Sequence, residues 1–297
     1  MRWFVTGAGG QLATEFERLL TGEVFMAHEE ALDIRDAAAV AEAVRSFGPD
    51  VVLHTAAYTD VDGAEADEPT AFAVNVLGTR NVVDAVRGTR NLVAAVRGTH
   101  TPVVSFSTDY VFDGAKGAPY VESDEPQPLS AYGRTKLAAE HETLAWVHGT
   151  VIRTAWLFSA TGHNFVKTIL AAAQKRAAHG SSEPLRVVDD QVGSPTFAGH
   201  LAAAVEELLR MGVAPGIYHL AGGGYCSWCE LAREVVQLAG LRVQVVPITT
   251  AEAGRPAPRP AFSALTSERP VPRLPDWCEG VRAAVDQLLR GQEGERT

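Results

Sequence analysis

Short runs of β-branched and aromatic residues alternate, along the first half of the chain, with longer stretches whose apolar residues recur at helical spacing. Runs of this length predict strands, and the longer stretches between them predict helices. The predicted strands are residues 3–6, 24–26, 51–54, 103–106 and 151–153. Strands that alternate with helices form parallel sheets, so the sequence predicts an α/β fold with a doubly wound parallel sheet of the Rossmann type.

The pattern becomes less regular after residue 155. Loops are predicted at residues 180–184 and 222–224, and a proline-rich stretch covers residues 255–275. This irregularity predicts a second, smaller lobe of mixed α/β structure. We assign residues 1–154 and 185–210 to a dinucleotide-binding domain, and residues 155–184 and 211–297 to the smaller, substrate-binding lobe.

Two nearly identical decamers follow one another at residues 78–87 and 88–97, and eight of their ten positions match. The fold needs one copy, and a repeat architecture would need at least three longer units. On a continuous helix ten residues add about 15 Å and turn the second apolar stripe about 80° from the first. Both stripes cannot then face one sheet, so we predict a break near Gly88.

Composition narrows the class of partner. The chain has 297 residues, of which 46% are hydrophobic, so a substantial core is expected. Its 36 acidic residues against 26 basic ones give a net charge of -10, which disfavours nucleic acid and favours a small molecule. The sequence shows neither an apolar leader nor a membrane-spanning run, which favours a cytoplasmic location.

Three cysteines are present, and their number excludes a disulfide framework. Cys226 and Cys229 have the spacing of a redox pair or of half a zinc site, and the third cysteine is Cys278. A tetrahedral zinc site would need a second cysteine or histidine pair. We therefore predict reduced thiols and no metal.

A glycine-rich turn, Gly7-Ala-Gly-Gly10, follows the first predicted strand and opens the first helix. Backbone N–H groups and the helix dipole at such a turn hold a pyrophosphate. Gly7 and Gly10 keep side chains away from the phosphates, and Ala13 takes the third position of the fingerprint, where a small residue suffices. The turn predicts dinucleotide binding.

Two further strand ends carry candidate cofactor contacts, Asp33-Ile34 and Ala56-Ala57-Tyr58. The residues directly after the second strand are His28, Glu29 and Glu30, and no arginine among them offers a clamp for a 2′-phosphate. The sequence therefore leaves both NADH and NADPH open as the cofactor.

Tyr132 and Lys136 stand four residues apart on a predicted helix, so their side chains project from one face. A nearby cation stabilises a phenolate, so Lys136 is expected to lower the pKa of Tyr132 toward neutrality and to hydrogen-bond a ribose hydroxyl. Thr108 lies in a hydroxyl-rich turn after the strand one helix upstream, where it can donate to a carbonyl oxygen. These three residues predict an oxidoreductase.

The chain resembles the extended short-chain dehydrogenase/reductase superfamily and, within it, the dTDP-4-dehydrorhamnose reductase family. The turn and the Tyr/Lys pair are typical of the superfamily, whereas Thr108-Asp-Tyr-Val-Phe-Asp-Gly114 together with Asp190-Gln-x-Gly-Ser-Pro-Thr196 points to the reductase branch. Further matches are Arg153-Thr-Ala-Trp156, Tyr218-His-Leu220 and Ser227-Trp228. The resemblance covers nearly the whole chain.

The resemblance implies reduction of the C4 keto group of dTDP-4-dehydro-L-rhamnose to dTDP-L-rhamnose. Tyr132 would donate the proton, Thr108 would polarise the carbonyl, and Lys136 would tune Tyr132 and hold the ribose. Thr108, Asp109 and Trp156 would meet the sugar nucleotide. The implied cofactor contacts are Gly10, Gln11, Leu12, Asp33, Ile34, Ala56, Ala57, Tyr58, Phe106, Tyr132 and Lys136, to which the glycine turn adds Gly7.

The sequence departs from the family pattern in the duplicated decamer, which lengthens the chain between the third and fourth strands and leaves assembly, including a homodimer, open. Some relatives bind a divalent ion through interface glutamates, and Glu15 stands in a compatible place. A single glutamate is not a metal site, so no metal is predicted.

Three other functions remain open: an epimerase, another nucleotide-sugar 4-ketoreductase and a non-catalytic regulatory subunit. The first two remain possible because the sugar pocket cannot be deduced from sequence. A dehydratase would need an additional acid–base pair, in which a glutamate would follow Asp109. Tyr110 stands there instead, which argues against a dehydratase. A non-catalytic, cofactor-binding regulatory subunit need not keep Thr108, Tyr132 and Lys136, all of which are present.

Overall fold

A computed structural model describes residues 1–97 and 100–294 of the chain. Its central element is a parallel sheet of six strands in the spatial order β10-β5-β4-β3-β1-β2. The strands are β1 (Arg2–Thr6), β2 (Glu23–Ala27), β3 (Val51–His54), β4 (Val103–Thr108), β5 (Gly149–Thr154) and, later in the chain, β10 (Gly216–His219). The doubly wound parallel sheet expected from the sequence is confirmed.

Helices cover both faces of this sheet, which is why all residues of β3 and β5 are buried. Helices α1 and α8 enclose one core against the sheet, and α2 and α5 enclose another on the opposite face. The helices of this part of the chain are α1 (Gln11–Leu19), α2 (Ala37–Phe47), α3 (Val61–Ala66), α4 (Glu68–Phe72), a π-helix (Ala73–Leu77), α5 (Gly78–Arg97), a 3₁₀ turn (Asp109–Val111), α6 (Ala131–Leu144) and α8 (Ala198–Arg210).

The remaining strands form three two-stranded sheets beside a separate core made by α7, α9 and α11. These elements are β6 (Leu157–Phe158), α7 (Phe165–Ala178), β7 (Leu185–Val188), β8 (Val192–Gly193), β9 (Thr196–Phe197), β11 (Cys226–Ser227), α9 (Trp228–Leu238), β12 (Val245–Ile248), α10 (Thr250–Ala253) and α11 (Trp277–Gly294). Strand β10 falls in the range 211–297, yet it pairs with β5 in the main sheet. The division into two domains stays a prediction.

Helix α5 runs without interruption through Gly88, so the break predicted there is wrong. A Cβ at Gly88 would meet no atom within 4 Å, so no close packing forces the helix to end. A glycine inside an exposed helix costs only about 1 kcal/mol relative to alanine. The first copy packs in the core through Val82, Val83 and Val86. The side chains of residues 90–99 lie outside the described part of the structure. The prediction that the second apolar stripe faces away from the sheet therefore stays a prediction.

Among the described residues, no helix is long and apolar enough to span a lipid bilayer. The sheet determines where a ligand can bind. In an open parallel sheet, ligands lie in the crevice at the carboxyl ends of the strands, where the strand order reverses. Here β1 to β5 all point their carboxyl ends toward one cavity.

Candidate active site

A cavity of about 820 Å³ lies at the carboxyl ends of the parallel strands. All the site residues predicted from the sequence line it, although they come from segments far apart in the chain. They are Gly7, Gly10, Gln11, Leu12, Asp33, Ile34, Ala56, Ala57, Tyr58, Phe106, Thr108, Asp109, Tyr132, Lys136 and Trp156. The structure thus brings the predicted cofactor and substrate contacts into one place.

The glycine turn connects β1 to α1 and lines the cavity. Gly7 has φ +73°, and a Cβ on it would lie 2.7 Å from the backbone nitrogen of Ala56. Any other residue would therefore be strained there and would also collide with the loop after β3. Gly10 is the N-cap of α1 and has no side chain to satisfy the N–H groups of the first turn. These groups remain available to an anion, which fits a dinucleotide pyrophosphate.

The β2 end of the cavity is lined by charged residues. Arg35 donates from Nε and from one terminal nitrogen to the two carboxylate oxygens of Asp33, at 2.9 and 2.7 Å. This pairing lowers the pKa of Asp33. Glu29 and Arg35 also line the cavity, and neither was predicted as a site residue. Arg35 does not follow β2 directly, where an arginine for a 2′-phosphate is expected. Turns at residues 28–36 bring Arg35 back to the cavity.

Tyr132 is held beside the end of β4 by the start of α6. Ser130 caps this helix by accepting a hydrogen bond from the Gly133 N–H at 3.1 Å. A Cβ on Gly133 would lie 2.2 Å from the carbonyl oxygen of Tyr110, so only glycine lets α6 approach the 3₁₀ turn this closely. The Tyr110 and Tyr132 rings meet edge to face. Burial raises the pKa of Tyr132, although a hydrogen bond with Thr108 partly opposes the shift.

Lys136 lies one helical turn further along and is only 7% exposed. Its ammonium donates to the carbonyl oxygen of Phe106 at 2.7 Å. Burial lowers the pKa of Lys136 to about 8, against the opposing charge of Glu140. The sequence predicts that Lys136 lowers the pKa of Tyr132, but here burial dominates and raises it. The position is as expected, whereas the direction of the shift differs.

A buried ion pair supports this end of the cavity from behind. Glu140, on α6, accepts from Arg153 on β5 at 2.9 and 2.7 Å, and both side chains are 2% exposed. Ser107 also donates to Glu140. Because these bonds tie α6 to β4 and β5, the ion pair fixes the helix that carries Tyr132 and Lys136 against the strand that carries Thr108.

Asp109 is almost fully buried next to Thr108. It accepts hydrogen bonds from the hydroxyls of Ser263 and Thr108 and has a further one with Trp156. Burial nevertheless raises the pKa of Asp109 to about 6. Ser263 belongs to the proline-rich stretch, so a residue far along the chain holds a carboxylate that lines the cavity.

Comparison with known proteins agrees with this geometry. A model of the family described as RmlD substrate binding domain matches residues 1–290. The dTDP-4-dehydrorhamnose reductase of Sinorhizobium fredii is 37% identical, with 97% of this chain and 98% of that protein covered. The chain belongs to the dTDP-4-dehydrorhamnose reductase family. The resemblance inferred from the sequence is confirmed.

A crystal structure of dTDP-4-dehydrorhamnose reductase from Bacillus anthracis in complex with NADP has a TM-score of 0.86 and 32% identity, with 96% of this chain and 99% of that one covered. A probable dTDP-4,6-dihydroxy-2-methyloxan-3-one 4-ketoreductase of Streptomyces antibioticus is 37% identical, with 98% and 97% covered. The chain is an NAD(P)H-dependent reductase of the dTDP-4-dehydrorhamnose reductase family.

One residue of this reductase that was not predicted from the sequence links two segments that line the cavity. Asn75, in the π-helix, accepts from the backbone N–H of Tyr58 at 2.8 Å and donates to the Thr135 hydroxyl at 2.9 Å. Thr135 lies between Tyr132 and Lys136 on α6. Asn75 therefore joins a predicted cofactor loop to the helix of the Tyr/Lys pair. A π-helix marks such sites, but it has no pattern that the sequence alone reveals.

Trp156 forms part of the cavity wall. Its ring stacks on Trp228 with centroids 3.5 Å apart, and its backbone has φ +47°, which favours glycine. A Cβ on Gly193 would lie 2.4 Å from the Trp156 ring, so Gly193 makes room for it. Phe165 packs on the other tryptophan. The sequence left open whether Trp156 contacts the sugar or fills the lobe interface, and here it both lines the cavity and packs on the smaller lobe.

Proposed function

We propose that the protein reduces the C4 keto group of dTDP-4-dehydro-L-rhamnose with NADPH or NADH to give dTDP-L-rhamnose. The observation that carries this proposal is that Thr108, Tyr132 and Lys136 line the same cavity as the glycine turn. The identity of the sugar nucleotide is suggested by the relatives, since two of them are named as dTDP-4-dehydrorhamnose reductases. The smaller lobe would hold that substrate.

The residues present fit a nicotinamide dinucleotide. Gly7 lets the glycine turn pack directly on the loop after β3, and the first turn of α1 offers its N–H groups to a pyrophosphate. The Lys136 ammonium can donate to a ribose hydroxyl in addition to Phe106. When bound, the reduced cofactor supplies the hydride that reaches the sugar carbonyl.

The raised pKa of Tyr132 suits a proton donor. A buried phenol is neutral at physiological pH and therefore carries the proton that the developing alkoxide at C4 needs. Thr108 lies within hydrogen-bond reach of Tyr132 and donates its one hydroxyl proton to Asp109. With a sugar bound, the hydroxyl would turn and donate that same proton to the carbonyl oxygen. After the transfer, the positively charged Lys136 ammonium lies one helical turn from the phenolate and stabilises its negative charge. Lys136 thus acts on the phenolate that forms.

A second candidate is reduction of a different dTDP-4-keto sugar. The Streptomyces antibioticus relative is as similar as the rhamnose reductase of Sinorhizobium fredii, and its name specifies another sugar. The chemistry at Tyr132 would be the same for both. The choice of sugar would then depend on the wall formed by Trp156 and Trp228.

The deciding experiment follows oxidation of NADH and NADPH at the nicotinamide absorbance band, with enzymatically generated dTDP-4-dehydro-L-rhamnose as acceptor. Oxidation that needs both protein and sugar, and yields dTDP-L-rhamnose, supports the proposal. Oxidation only with other dTDP-4-keto sugars would support the second candidate. Cofactor binding without turnover of any 4-keto sugar would refute both and would point to a non-catalytic subunit.

A further inference from the structure

Thr154, the last residue of β5, has a buried hydroxyl without a partner. The residue is 7% exposed and lines the cavity. Within the described part of the chain, its Oγ is the one buried side-chain nitrogen or oxygen that lacks a hydrogen bond. The neighbouring hydroxyls on β4 are all paired: Ser105 with Thr143, Ser107 with Glu140, and Thr108 with Asp109. Thr154 is therefore an exception among the residues around it.

A buried hydroxyl that gives up water without gaining a partner is unfavourable, and native proteins rarely leave one in that state. Valine has nearly the same shape and would fill the position without this penalty. Because Thr154 lines the cavity, a ligand bound there can supply the missing partner once the hydroxyl turns toward it about the Cα–Cβ bond. The position of Thr154 along the sheet identifies which part of the ligand this is.

The strands follow one another across the sheet in the order β2, β1, β3, β4, β5. Adjacent strands lie about 4.8 Å apart, so the edge from β2 to β5 spans about 19 Å, comparable with an extended dinucleotide. The charged residues stand at β2 and the glycine turn follows β1. Lys136, the proposed ribose contact, binds Phe106 on β4. The next strand is β5, where Thr154 lies in register with Thr108.

Beyond the ribose the dinucleotide carries the nicotinamide ring, whose carboxamide both donates and accepts hydrogen bonds. We infer that the Thr154 hydroxyl binds this carboxamide and thereby fixes the orientation of the ring against Thr108 and Tyr132. The inference rests on the proposed use of NADH or NADPH, but not on which sugar is reduced. Thr154 is in this sense a positioning residue for the hydride donor.

The test compares binding of two ligands in the absence of sugar. One is the reduced cofactor that the wild-type protein binds, and the other is ADP-ribose, or its 2′-phosphate for NADPH, which lacks the nicotinamide. We expect Thr154→Val to weaken binding of the reduced cofactor about tenfold, the size of one neutral hydrogen bond, and to leave ADP-ribose binding unchanged. Thr154→Ser keeps the hydroxyl and should stay within about twofold of wild type.

Thermal unfolding of the ligand-free variants separates this role from a structural one. Thr154→Val removes an unpaired hydroxyl, so its Tm should equal or exceed that of wild type. Thr150→Val, at a buried position on the same strand that does not line the cavity, serves as a control and should leave both ligands bound as in wild type.

Equal loss of both ligands in Thr154→Val, or a lowered Tm, would show a structural role and overturn the inference. Unchanged cofactor binding with a raised KM for the sugar would assign the hydroxyl to the substrate and overturn it as well. Each result requires only a wild-type protein that binds the reduced cofactor. If wild type binds neither NADH nor NADPH, the proposed function itself fails, which is a different outcome.

Discussion

At the β4 and β5 end of the cavity, Thr108, Asp109 and Lys136 are each less than a tenth exposed, whereas at the β2 end the side chains of Asp33 and Arg35 are 40% and 48% exposed. Burial shifts the pKa of Asp109 and Lys136 toward neutrality, while the exposed pair keeps both charges at neutral pH. The buried end can move protons, and the exposed end can only attract or repel charge. Substitutions at the two ends should therefore differ in size and kind.

The largest effect is expected at Tyr132. Tyr132→Phe removes the proposed proton donor and keeps the ring that packs on Tyr110. We expect turnover to fall about 10²- to 10⁴-fold, the usual contribution of a positioned acid, with cofactor affinity little changed. Steady-state NAD(P)H oxidation and a fluorescence titration measure the two quantities. Near-native turnover would refute the role of Tyr132.

Lys136 should give the next largest effect, and a pH dependence. Its ammonium loses the proton above pH about 8, because burial lowers its pKa from the ordinary value near 10.5. Affinity of the free protein for the reduced cofactor should therefore fall as pH rises through about 8. Lys136→Met should weaken binding at pH 7 and abolish this pH dependence. A wild-type affinity that stays constant to pH 10 would contradict the proposed ribose contact.

A smaller effect is expected at Asp109, on the acid side. Its pKa of about 6 means that the carboxylate forms as pH rises through that value, and its hydroxyl partners favour the charged form. The kcat/KM for the sugar should then rise through pH 6 and level off. Asp109→Asn should lower kcat/KM about tenfold at pH 7 and remove the acid limb, because hydrogen bonds to a charged group are lost. An unchanged acid limb would assign it to another group.

The same contrast explains what the sequence could predict. The spacing of Tyr132 and Lys136 is local to one helix, and the glycine turn directly follows a strand, so both features could be predicted from the sequence. The structure places both at the cavity. Thr154 and Arg35 are different, because strand register places the first and a chain of turns places the second. The pKa of Tyr132 depends on burial, which spacing does not show. The prediction of a break at Gly88 is wrong because it rested on helical periodicity, whereas a glycine in an exposed helix costs only about 1 kcal/mol relative to alanine.

The smallest effect is expected at the exposed end, where it concerns the choice of cofactor. At this end of the cavity, Arg35 carries a positive charge and Glu29, beside it, carries a negative one. A 2′-phosphate would be attracted by the first and repelled by the second. We expect Arg35→Ala to weaken NADPH about twofold to fivefold and NADH less, because solvent screens exposed charges.

Glu29→Gln is the matched opposite, since it removes a negative charge at nearly constant shape. It should strengthen NADPH by a similar factor and leave NADH within twofold, about the size expected for a screened charge. Kd values at low and high salt measure both variants, and the differences should shrink as salt rises. An effect of a hundredfold, or one insensitive to salt, would mean that Arg35 grips the phosphate in a buried geometry, and the contrast between the two ends would then be lost.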